Sequence, residues 1–76
     1  MKTAKPGDKI RIIELDFIDA FYSVRDQIIG QTTICVACEP SYGVPGYDYL
    51  IVEPIALSEG GEASCFYACK YEIVEE

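Results

Sequence analysis

The sequence predicts an all-β fold: a small five-stranded barrel with a long first loop that contains a short helical turn. Three observations point there. Short runs of β-branched or alternating residues recur along the chain, and Gly- and Pro-rich turn signals separate them. No buried crossover helix joins them, which removes parallel βαβ architectures. The chain has 76 residues, enough for one domain spanning 1–76. A domain of this length buries only roughly 60% of the surface its unfolded chain exposes. A sheet so small must close or roll up to cover its apolar face and protect its edges.

Each element has its own signal. Lys5-Pro6-Gly7-Asp8 is a turn, and it launches a strand at 9–15. There Ile10 and Ile12 share one face and Lys9 and Arg11 the other. Residues 16–29 carry two competing patterns. Phe17, Phe21, Val24 and Ile28 recur at helical spacing, with Asp16 to cap and Gly30 to stop, which gives an α+β alternative with a helix at 17–29. Ser23-Val24-Arg25-Asp26 instead resembles a local cap for one short turn near 23–28, inside a loop that packs Phe17 and Phe21. The second pattern is preferred. Residues 31–39 form the next strand through Thr32, Thr33, Ile34 and Val36. A Pro- and Gly-rich loop at 40–46 leads to a strand at 47–53. On it Leu50 and Val52 face one way, and Tyr47, Tyr49 and Ile51 the other. Pro54 marks an edge, a bulge or the strand's end. After a turn at 58–62, residues 65–71 and then 72–74 give one or two closing strands.

Three stretches together resemble an SH3-like small barrel of the KOW type: Lys5-Pro6-Gly7-Asp8-Lys9-Ile10-Arg11-Ile12, then Ile29-Gly30-Gln31-Thr32, then the segment from Phe66 to Glu75. The order is similar to that of short uncharacterised proteins encoded by bacteria and their phages. The resemblance implies a shared fold rather than a shared reaction. KOW proteins that meet RNA are basic, and this chain is acidic.

Six Lys and Arg oppose thirteen Asp and Glu, a net charge of −7, and there is no His. The charge is uneven. Lys2, Lys5, Lys9 and Arg11 outweigh Asp8, a net of +3 over residues 1–11; beyond them Arg25 and Lys70 face twelve carboxylates, a net of −10. Phosphate-backbone binding needs several cations, so the composition disfavours nucleic acid and anionic membranes and favours a protein partner with a basic surface. The start has no apolar run after its lysines and no apolar stretch is long enough to span a membrane, which leaves the cytoplasm of a bacterium or infected host cell as the expected location.

No side chain offers an obvious catalyst. The serines lack a histidine, Gly60-Gly61 lacks the lysine of a phosphate loop, and Asp16, Asp19 and Asp26 read as turn-capping groups. The expectation is a protein that is not an enzyme and carries no cofactor. Cys35, Cys38, Cys65 and Cys69 have zinc-like spacing on paper. Cys35 and Cys38 lie on a strand, however, where positions three apart point to opposite faces about 10 Å apart. Free, partly buried thiols are expected, with no metal, and Glu39 beside Cys38 opposes thiolate formation.

Six Tyr and three Phe are more than so small a core can hide. Tyr is favoured at interfaces because it joins a large ring to a polar tip. The expected binding residues are Tyr42, Tyr47 and Tyr49 as anchors, with Asp16, Asp19, Glu39, Asp48, Glu53, Glu59 and Glu62 for charge. Together they suggest a non-catalytic inhibitor or adaptor. The alternative is a homo-oligomer that sequesters a small ligand such as a nucleotide, with Lys9, Arg11 and Arg25 holding phosphate. A third reading is a KOW-like nucleic-acid accessory protein using Lys2, Lys5, Lys9 and Arg11.

Overall fold

Four antiparallel strands close on themselves in the computed structural model, which describes residues 3–75. They are β1 (Lys9–Leu15), β2 (Thr32–Pro40), β3 (Asp48–Ala56) and β4 (Glu62–Ile73), and a 3-10 helix at Tyr22–Gln27 lies between β1 and β2. Each strand pairs with the next, and β4 returns to pair with β1. The registers include Ile10↔Thr33 between β1 and β2 and Cys38↔Leu50 between β2 and β3. Leu50↔Phe66 joins β3 to β4, and Ile12↔Tyr71 joins β1 to β4.

The strand count is four among the described residues, not five. The closing segment is one twelve-residue strand whose first part pairs with β3 and whose last part pairs with β1. It contains neither Gly nor Pro, so nothing in it breaks the extended backbone. β3 likewise passes through Pro54 and ends at Ala56 rather than at Glu53. Pro54 falls inside the register shift between Ile51 and Ile55, where a missing N–H is tolerated.

A three-residue step recurs on every strand. Buried Ile12 is followed by buried Leu15, Val52 by Ile55, and Ala63 by Phe66. On β2, buried Cys35 is followed by half-buried Cys38, which packs against the core. Register shifts accompany the steps at Ile12/Glu14, Cys35/Ala37 and Ile51/Ile55. Four strands close only if each bends sharply, and a bulge supplies the bend and the extra twist. Strict alternation therefore fails between Cys35 and Cys38. Both side chains turn inward, contrary to the opposite faces that the sequence pattern implies.

The core is Ile10, Ile12, Leu15, Cys35, Leu50, Val52, Phe66 and Cys69, with Ile28 entering from the loop. Phe21 meets Phe66 edge to face with ring centroids 5.8 Å apart. Phe17 does not pack with it and is 74% exposed. No long helix forms at 17–29; the helical turn at Tyr22–Gln27 agrees with the shorter reading. Two aspartates explain why. Asp16 Oδ1 accepts the Ile18 N–H at 3.2 Å, and Asp19 Oδ1 accepts the Phe21 N–H at 2.9 Å. These successive Asx turns compete with helix hydrogen bonds and let the chain bend. Gly30, at φ 91°, then turns the backbone so that its N–H reaches the Ile12 carbonyl at 2.8 Å.

Candidate binding surface

The outward side chains of β2, β3 and β4 form one aromatic and apolar face. Across it Glu39 opposes Tyr49, Ala37 opposes Ile51, and Ile51 opposes Cys65. Tyr49 and Tyr67 meet edge to face at 6.3 Å. The Tyr67 hydroxyl donates to the Tyr42 carbonyl and so ties the β2–β3 loop to β4. Tyr42 itself is 70% exposed and Val36 48%. The Cys65 thiol donates to the Tyr49 hydroxyl at 3.1 Å. That bond is the first cause holding the Tyr49 phenol above its usual pKa, and the Glu39 carboxylate adds to it. A hollow of about 190 Å³ opens here, lined by Ala37, Cys38, Glu39, Tyr49 and Ile51.

Of the three expected anchors, Tyr42 and Tyr49 border this face and Tyr47 belongs elsewhere. The Tyr47 hydroxyl donates to Glu14 Oε2 at 2.9 Å, and Lys70 Nζ sits 4.7 Å from its ring centroid and 3.7 Å from the same carboxylate. The Glu14 bond also raises the Tyr47 phenol. Tyr67 takes the third place on the face. The alternation of Cys65 and Tyr67 about buried Phe66 is the signal that marks it, once Phe66 is assigned to the core.

The expected acids separate into two groups. Glu39, Glu53, Glu59 and Glu62 are exposed on β2, β3, the β3–β4 turn and β4. Among the described residues no ion pair engages them. The ion pairs found there, Arg11–Glu72 and Lys70–Glu14, both lie where β1 meets β4. The other three acids serve the fold. Asp19 is 5% exposed, and its Oδ2 accepts the Ala68 N–H at 3.1 Å. Asp16 caps its own turn. Asp48 Oδ2 accepts from the Tyr71 hydroxyl at 2.7 Å and from the Cys38 thiol at 3.4 Å.

That last contact belongs to a polar cluster at one end of the core. The Tyr71 hydroxyl accepts the Ala4 N–H at 3.0 Å while donating to Asp48, and Cys38 Sγ lies 3.1 Å from it. Burial is the main cause that pushes the Cys38 thiol up to about 11, and burial likewise raises Cys35, Cys69 and Tyr71. These three thiols stay protonated near neutral pH, whereas a nucleophile or zinc ligand must be a thiolate. All four cysteines are free, and no group of three Cys, Asp or Glu among the described residues is placed to hold a metal ion. A cavity of about 690 Å³ runs beside the cluster along Asp48, Tyr71 and Ile73. Lys70 is a cation on its wall, with Asp48, Glu72 and Glu75 also lining it.

The cations proposed for phosphate are dispersed. Arg11 pairs with Glu72. Arg25 lies 4.1 Å from the Tyr22 ring centroid and donates to the Tyr22 carbonyl at 2.8 Å. Lys9 stands at the start of β1, opposite Ile34. Lys2 lies outside the described residues.

No protein-family model, curated protein or solved structure matches this chain. No helix among the described residues is long and apolar enough to cross a membrane.

Proposed function

We propose that this chain is a non-catalytic acidic binding module, an SH3-like small barrel that acts as an inhibitor or adaptor by occupying a basic surface on a protein partner. The observation that carries the reading is the sidedness of its charge. Glu39 borders the Tyr42–Tyr49–Tyr67 face, Glu53, Glu59 and Glu62 stand exposed farther along β3, the β3–β4 turn and β4, and among the described residues no ion pair engages any of the four, while Arg11 and Lys70 are engaged at the β1–β4 junction. Tyrosine rings give contact area and carboxylates give charge complementarity, the two properties that a specific polar interface combines. The proposed setting is the cytoplasm of a bacterium or of a phage-infected cell.

Less supports the nucleotide-sequestering and KOW-like nucleic-acid readings. Arg11 is held by Glu72 and Arg25 by Tyr22, and the wall of the 690 Å³ cavity carries carboxylates that repel phosphate. The test of the binding-module reading is capture of basic proteins from host lysate on the immobilised chain across a salt series. Capture should weaken from roughly 0.05 M to roughly 1 M salt, where the screening length falls to about 3 Å. Capture indifferent to salt, or stabilisation of the chain by nucleotides alone, would overturn it.

A further inference from the structure

We propose that the hollow bounded by Ala37, Glu39, Tyr49 and Ile51 is a subsite for one arginine side chain of the partner. This rests on the acidic binding-module reading and names the group that the module recognises. Two independent features carry it.

The first is the chemistry of the walls. One wall is the exposed carboxylate of Glu39, and directly across the strand pair from it is the phenol of Tyr49. Ala37 and Ile51, the next outward pair along the same two strands, add apolar surface. The Glu39 charge is close enough to act on the Tyr49 hydroxyl. A guanidinium suits this combination. It is planar, weakly hydrated, stacks on rings and grips a carboxylate with two parallel N–H donors, while its methylene stem covers apolar surface. A lysine ammonium is more strongly hydrated and offers no flat face.

The second is that the protein already makes this arrangement once. Two residues earlier in the chain, where β1 meets β4, Tyr47 and Glu14 hold a cation between them. Lys70 Nζ is 4.7 Å from the Tyr47 ring centroid and 3.7 Å from Glu14, and the Tyr47 hydroxyl donates to that carboxylate. Tyr49 and Glu39 repeat the pair of ring and carboxylate, and no ion pair among the described residues engages Glu39. A cation on another molecule would complete the same arrangement there.

The probes are two short blocked peptides, identical except that one carries arginines and the other lysines at the same positions. Each is titrated into the full chain at low salt, and backbone amide shifts are followed by NMR. The arginine peptide should bind at least about fivefold tighter than the lysine peptide, as expected where a flat guanidinium can stack on the ring and bond the carboxylate with two donors, which an ammonium cannot. Its shifts should centre on residues 37, 39, 49 and 51. Glu39→Gln, an exposed change that leaves the core untouched, should remove most of that preference, and Tyr49→Leu should do the same in a variant shown by circular dichroism to remain folded. Equal, salt-sensitive binding of both peptides would overturn the subsite and leave the acidic module standing. Failure of both peptides to bind at low salt would overturn the subsite and the module together.

Discussion

Replacing Tyr71 by Phe deletes one hydroxyl and keeps the ring. That hydroxyl accepts the Ala4 N–H at 3.0 Å, donates to Asp48 at 2.7 Å and lies 3.1 Å from Cys38 Sγ. A hydrogen bond to a charged acceptor contributes about 1.5–3 kcal/mol net, and an ordinary one about 1 kcal/mol. Asp48 and Tyr71 are both half-exposed, so water replaces part of the loss and the lower end applies. The expected destabilisation is about 2 kcal/mol. For a domain of this size each kcal/mol moves the midpoint by about 4–8 °C, so Tm should fall by roughly 8–16 °C. Thermal unfolding followed by far-ultraviolet circular dichroism reads this directly. Combining the change with Asp48→Ala completes a double-mutant cycle, and the coupling should exceed about 0.5 kcal/mol because the groups touch. If Tyr71→Phe melts within about 2 °C of the parent, or the two changes simply add, the cluster does not hold that end of the core together.

Three further outcomes are expected. Asp19→Ala removes the acceptor of two backbone N–H groups at a nearly buried site, and urea denaturation should show a loss of about 2–4 kcal/mol, while Asp16→Ala should cost less than about 1 kcal/mol. Brief alkylation near neutral pH, read by mass spectrometry of peptides, should label half-exposed Cys65 first; Cys35, Cys38 and Cys69 should resist, because burial favours their protonated form. Alkaline pH should weaken the fold. The Cys38 thiol sits at about 11 when folded against an ordinary 9.0, so the folded state binds that proton more tightly. Its contribution is complete below the unfolded value and is lost as pH rises through the folded one. Raised values at Cys35, Cys69 and Tyr71 act in the same direction. Urea midpoints should be level near neutral pH and fall from about pH 9 upward; a midpoint that holds steady through about pH 11 would contradict these assignments.

Much of the sheet was legible because its signals are local. Alternation placed Ile10 and Ile12 inside, and it separated Leu50 and Val52 from Tyr49 and Ile51. Turn chemistry marked Pro6-Gly7, where Gly7 has φ 95° and the Asp8 N–H reaches the Lys5 carbonyl at 2.9 Å. What stayed hidden depends on closure. A period of two carries no sign of where a bulge will fall, so the inward turn of Cys38 could not be read, and at Pro54 the bulge that β3 passes through was one of three readings left open. The aromatic face was half visible for the same reason. Tyr42 and Tyr49 stood out by composition, but Tyr47 and Tyr67 exchange roles through the neighbours they meet on distant strands, Glu14 and Lys70 for one and Tyr42 and Tyr49 for the other. Asp19 looked like a surface charge because aspartate in a loop usually is one; only the approach of the Ala68 amide buries it.

The supernumerary residue on β2 makes the molecule tolerant of one kind of change and intolerant of another. Val36, 48% exposed, falls at the shift where two steps along β2 meet one along β3. Exchanging its side chain for a polar one disturbs little. Excising it would leave Cys35 and Cys38 inward and Ala37 and Glu39 outward in plain alternation, but it would remove the bulge, and with it the bend and extra twist that β2 needs for the sheet to close. At this position, chain length therefore constrains the protein more tightly than residue identity does.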